Sequence, residues 1–139
     1  MMKVLIAAVA VVAMAAAANA QEVSKAPVGA KAVILEPKNG DTVSAPFKVK
    51  FGLEGMEVAP AGAAKPNAGH HHLLIDTKLA DPKVGIPADD KHKHYGKGQT
   101  EDTVTLPAGT HTLQLVLGDH NHVPHDPIVQ SEIITITVK

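Results

Sequence analysis

Proline and glycine interrupt this chain so often that a helical period has no room to establish itself. Ten prolines and eleven glycines are spread through 139 residues. Proline removes a backbone donor and glycine adds backbone freedom, so each tends to end a regular element. Between them lie short runs with strand character: Ala32–Glu36 (AVILE), Phe47–Leu53 (FKVKFGL), His71–Asp76 (HHLLID), Thr103–Leu106 (TVTL), Thr110–Leu117 (THTLQLVL) and Glu132–Val138 (EIITITV). Phe47–Leu53 and Thr110–Leu117 alternate apolar and polar side chains, as half-buried strands do. Asn39-Gly40 and Pro107-Ala108-Gly109 mark turns, and a further short strand is expected around Met56–Val58. Six or seven strands and no helix predict an all-β fold, an immunoglobulin-like antiparallel β-sandwich. Residues 31–139 are expected to form this single domain, and residues 21–30 a flexible lead-in.

The first twenty residues read differently. MMKVLIAAVAVVAMAAAANA carries one lysine (Lys3), an apolar run, and the cleavage-like pattern Ala18-Asn19-Ala20. Residues 1–20 are expected to be a signal peptide of a bacterial periplasmic or secreted protein. No later stretch approaches the ~20 apolar residues of a membrane span, so none is expected in the mature chain. The absence of cysteine excludes disulfides and thiolate ligands. Thirteen basic residues, none of them arginine, face fourteen acidic ones, and the lysines are scattered. The aromatic residues are Phe47, Phe51 and Tyr95. Nucleic acid is therefore not an expected partner, for want of both a basic patch and a stacking surface. Gly96 and Gly98 lack the strand–helix context of a phosphate loop. Ser24, Ser44 and Ser131 lack a nucleophile context, and no enzyme activity is expected.

Nine histidines remain to be explained. Eight fall in three clusters: GHHHLLID (69–76), KHKHYGKGQT (91–100) and GDHNHVPHDP (118–127). With the six runs above labelled A, B, C, E, F and G, the clusters fall on the B–C, D–E and F–G loops. Those loops share one end of an immunoglobulin-like sandwich. His92/His94 and His120/His122 are H-x-H pairs, which in extended backbone present both rings to one side. Within the triple, His70 and His72 share one face, and His71 shares the inward face of Leu73 and Ile75. Imidazole is the usual side-chain ligand of Zn and Cu(II). The first choice of ligands is His71, His120 and His122, followed by His70, His72 and His94. His92, His125, Asp119 and Asp126 form a second rank, the aspartates either as ligands or as acceptors for a ligating ring's second N–H. The ninth histidine, His111, occupies the place of the inward tyrosine at the E–F corner and reads as structural. Tyr95 reads as a partly buried loop aromatic, Lys93 and Lys97 as solvated, and Met56 as a packing residue.

The motifs GHHHLLID, HYGKGQT, LPAGTHTLQLVLGDHNHVPHDP and ITITVK resemble, in the same order, a family of exported bacterial proteins defined as a domain of unknown function. The resemblance runs from about Ala32 to Lys139. It implies an exported, single-domain, β-rich protein and supplies no activity. The architecture and histidine use are also similar to periplasmic copper-handling β-sandwich proteins, a likeness of fold alone.

Three readings follow. The first is a periplasmic protein that binds Cu(II) or Zn for storage, delivery or buffering; the lack of cysteine and the single Met56 after Ala20 argue against Cu(I). The second is a metal-free envelope module, whose histidine loops recognise a protein or glycan and act as hydrogen-bonders or a pH switch. The third is a metalloenzyme with three histidines and an open water position, for which Asp119 and Asp126 are the nearby acid–base groups.

Overall fold

The computed structural model describes residues 23–139, so the signal-peptide reading of residues 1–20 lies outside the described residues. Each expected run is extended over at least part of its length. The strands are β1 (Lys31–Glu36), β2 (Thr42–Val43), β3 (Phe47–Glu54), β4 (Glu57–Val58), β5 (Ala68–Ile75), β6 (His92–His94), β7 (Glu101–Val104), β8 (Gly109–Gly118) and β9 (Ile134–Val138). Among the described residues there is no helix, and hence none long and apolar enough to cross a membrane.

The strands form two sheets. One has the order β1-β3-β7, and the other β2-β9-β8-β5-β4, with β6 also paired to β5. These are the A–B–E and G–F–C pairings of an immunoglobulin-like sandwich. Two strands went unforeseen. β2 has two residues and pairs in parallel with β9. β6 is His-Lys-His and lacks the apolar alternation by which strands are recognised. Both are edge strands held by a partner and not by their own burial.

Alternation fixes the core. Phe47, Val49 and Phe51 of β3 and Val104 of β7 meet Leu73 and Ile75 of β5, Leu113 and Leu115 of β8, and Ile134, Ile136 and Val138 of β9. Tyr95 joins them, with its ring 4.7 Å from that of Phe51 and its hydroxyl donating to Asp102 at 2.8 Å. Lysines on the opposite face of the smaller sheet pair across strands, as Lys31–Glu54, Lys48–Glu101 and Lys50–Glu36. Such exposed pairs contribute little.

The second face of the larger sheet is not left to solvent. The long segment after β5 folds back over it, and Ile86 packs on Leu74 and Val116, flanked by Leu79 and Ile128. β5 is consequently buried along its whole length. At the other end of the chain's described part, Ser24–Ala26 lie beside the loop after β8. Ala26 N–H donates to Asp126 O at 3.0 Å, and Asp126 N–H to Ser24 O at 2.9 Å.

His111 lies near the start of β8, at the corner its position implied. Its Nδ1 lies 2.6 Å from Asp76 Oδ2 and its Nε2 lies 2.8 Å from Pro107 O. Both partners are acceptors, so the corner is fully satisfied when both ring nitrogens donate, as they do in the imidazolium form. The Asp76 hydrogen bond and the Pro107 carbonyl raise its pKa against a smaller effect of burial. A raised folded-state pKa gives stabilisation that is complete below the unfolded value of about 6.5 and is lost as pH climbs through the folded one. His111→Ala is therefore expected to cost about 1–2 kcal/mol at pH 6 and less at pH 9, measured by urea denaturation. A pH-independent difference would count against the charged corner.

Candidate metal centre

The centre begins with the parity of β5. His71, Leu73 and Ile75 point into the sandwich, so His70, His72 and Leu74 point out of it. In register, β5 sets His70 opposite Gly118, His72 opposite Val116 and Leu74 opposite Gln114 of β8. On its other edge β5 pairs with β6, which puts His94 directly opposite His72. Residues opposite each other in an antiparallel pair share a face, so His94 joins His70 and His72.

His122 arrives from the end of β8. The chain leaves the strand at Gly118 and turns on Asp119, whose Oδ1 accepts the N–H groups of Asn121 (2.8 Å) and Val123 (3.1 Å). His122 N–H donates to Asp119 O at 2.9 Å, and its own carbonyl accepts from Ile86 N–H at 2.8 Å. Its φ is +64°, in the left-handed region. This conformation turns the ring back to the sheet, with His122 Nδ1 3.0 Å from His70 Nε2.

Four imidazoles therefore meet. One nitrogen from each of His70, His72, His94 and His122 lies within 4.8 Å of all the others. Ring centroids are 4.6 Å apart for His70–His72 and for His94–His122, and 4.9 Å for His70–His94. Ligand nitrogens around a tetrahedral ion with bonds of about 2.0 Å stand roughly 3.3 Å apart, so only modest ring movements would close the set on one ion. Two glycines make the room. A Cβ on Gly118 would lie 2.6 Å from His72 Cε1, and one on Gly96 would lie 2.4 Å from His94 Cε1. The sequence placed all four histidines among its candidates, but not these glycines, whose value is a contact that is invisible in one dimension.

The electrostatics suit a cation. Burial, then the neighbouring His122 and His94, lower the pKa of His70 to about 4. Burial, then His70 and the other rings, lower that of His72 to about 3. His94 is lowered by burial and by His122. His70, His72 and His94 are thus neutral at pH 7, the form that ligates metals. His70 and His72 are fully buried. His70 Nδ1 and both nitrogens of His72 have no hydrogen-bond partner, and leaving such a group unsatisfied costs about 1–3 kcal/mol. His94 is exposed and His122 half-buried, so one side of the cluster opens to solvent.

The remaining candidates lie elsewhere. His71 was ranked first, yet its parity sends it into the core, where its ring is 5.2 Å from Phe51. Burial lowers its pKa to about 4, and neither nitrogen has a partner. His120 was also ranked first, but its Nε2 lies 3.1 Å from Asn121 Nδ2, outside the cluster. The H-x-H rule assumes extended backbone, and the left-handed His122 breaks it. His92, two residues from His94 on β6 and opposite Leu74, bonds Asp89 at 2.7 Å. His125 is buried next to Asp119. Asp126 pairs with Lys25 at 3.0 Å, and Asp119 is taken up by Ser24 and by backbone amides. The clusters do converge at the expected end, where His70 sits opposite Gly118, the last residue of β8, and His122 follows in the loop; their rings gather on the outer face of β5. Among the described residues, this is the one group of three or more such side chains close enough to hold an ion.

Fold and centre together define an all-β sandwich with four histidines that could hold a metal ion. The chain belongs to the family described as Domain of unknown function (DUF4399), which it matches over residues 49–139, a span that takes in all nine histidines. No curated protein and no solved structure matches the chain.

The glycine contact gives a direct test of the packing. Gly118→Ala should push His72 out of the group while β5 and β8 stay paired, and lower metal affinity by roughly 10–100-fold, the scale of lost ligand support. Titration calorimetry with Zn would measure it; unchanged affinity would show that the His72 ring does not need that space.

Proposed function

We infer that this protein binds a single Cu(II) or Zn ion through His70, His72, His94 and His122, in the periplasm or outside the cell. The observation that carries this is His72: a fully buried ring, with no partner at either nitrogen, facing three further imidazoles. A metal ion satisfies such a nitrogen where a hydrogen bond does not. The donor set is all imidazole nitrogen, which suits Cu(II) and Zn, and it lacks the sulfur that favours Cu(I). Export rests on the reading of residues 1–20.

The role that fits is storage, delivery or buffering. His94 and His122 leave the ion reachable from one side, which supports exchange with the surroundings. Hydrolytic turnover fits less well. The two carboxylates that flank His122 are engaged, Asp119 by Ser24 and Asp126 by Lys25.

Titration of metal-free protein with Cu(II) and with Zn tests this. One ion should bind per chain. The double variant His70→Ala/His72→Ala should lose affinity beyond the roughly 100-fold that supporting residues alone can cost, while His120→Ala and His92→Ala should bind as the wild type does. Full affinity in the double variant, with loss in His120→Ala, would move the ion to the loop.

A further inference from the structure

The left-handed residue His122 needs support, because a side chain there costs about 1–2 kcal/mol relative to ordinary backbone. One residue supplies most of that support. Asp119 accepts His122 N–H through its carbonyl, at 2.9 Å, and its own N–H donates to Val123 O, also at 2.9 Å. Its Oδ1 accepts the amides on either side of His122, those of Asn121 and Val123. The other carboxylate oxygen, Oδ2, accepts the hydroxyl of Ser24 at 2.7 Å. Asp119 is 3 % exposed, and both of its carboxylate oxygens are engaged by protein donors.

Ser24 is itself fixed. Its carbonyl accepts Asp126 N–H, Ala26 N–H donates to Asp126 O, and Lys25 pairs with the Asp126 carboxylate. The segment Ser24–Ala26 thus grips the loop at both Asp119 and Asp126, on either side of His122.

We propose that Asp119, braced by Ser24, is the positioning residue of the metal centre: it holds His122 in the left-handed turn that brings its ring within 3.0 Å of His70. The Ser24–Ala26 segment, which the sequence marks only as a lead-in, is then part of the centre's support. This rests on the reading of the four histidines as a metal site.

Asparagine separates positioning from ligation. Asp119→Asn keeps an oxygen for the amides of Asn121 and Val123, whereas Asp119→Ala keeps none. On Cu(II)-loaded protein, pulsed electron paramagnetic resonance counts the bound imidazoles. Wild type and Asp119→Asn should show four. Asp119→Ala should show three, as His122→Ala does, with affinity lower by roughly 10–100-fold. Ser24→Ala should fall between wild type and Asp119→Ala in affinity. In metal-free protein, the His122 amide and ring resonances should move in Asp119→Ala and hold in Asp119→Asn, with circular dichroism reporting that both variants are folded. Four imidazoles in Asp119→Ala, with His122 resonances unmoved, would overturn the proposal. So would an Asp119→Asn variant that loses as much as Asp119→Ala. If wild type takes up no Cu(II) but the His122 resonances still move in Asp119→Ala, the metal reading fails and the hold of Asp119 on His122 stands.

Discussion

The register between β5 and β8 governs both the core and the centre. Six consecutive pairs, from His70↔Gly118 to Ile75↔Leu113, lock β5, buried along its whole length, against β8. Because side chains alternate, that register sends Leu73 and Ile75 into the core and, with the same step, His70 and His72 to the opposite face. A slip of one residue would exchange the two sets, burying His70 and His72 in the sandwich and turning Leu73 and Ile75 out of it. The metal-type cluster and the hydrophobic core are therefore specified by one set of backbone hydrogen bonds. β6 extends the same logic sideways, since pairing with β5 is what carries His94 to His72.

Burying imidazoles is unfavourable unless something satisfies them. The fold accepts that cost by covering the outer face of β5 with an apolar wall. Val116 sits opposite His72 and packs with Leu74 and Ile86, while His94 and His122 close the other side and remain partly open. The low local dielectric keeps His70 and His72 neutral and their lone pairs free of protons at pH 7. A cation entering from the open side would meet nitrogens already close together, so that binding would require little ordering beyond ring rotations. The same burial at His71 produces no site, because its ring faces Phe51 and no second imidazole.

Much of this was legible in the chain. Proline and glycine spacing gave the strands and the all-β class, and parity separated His71 from His70 and His72. The tyrosine-corner position identified His111. What was not legible has physical reasons. His92–His94 reads as loop in the sequence, because a three-residue edge strand without apolar alternation carries no signature of its own. His120 and His122 were treated as a matched pair because extended backbone was assumed, and one left-handed residue reverses that. His71 stands in the first choice of ligands although its parity with Leu73 and Ile75 points it inward. Gly96 and Gly118 act through contacts between distant segments, and Asp119 through hydrogen bonds to Ser24, 95 positions away in sequence.

The most direct test of the centre is X-ray absorption at the metal edge, on protein loaded with one equivalent of Cu(II) or Zn. A single nitrogen shell at about 2.0 Å, with the multiple-scattering pattern of four imidazoles, is the expected result. A shell dominated by oxygen, or holding one or two imidazoles, would contradict the assignment of the ion to His70, His72, His94 and His122.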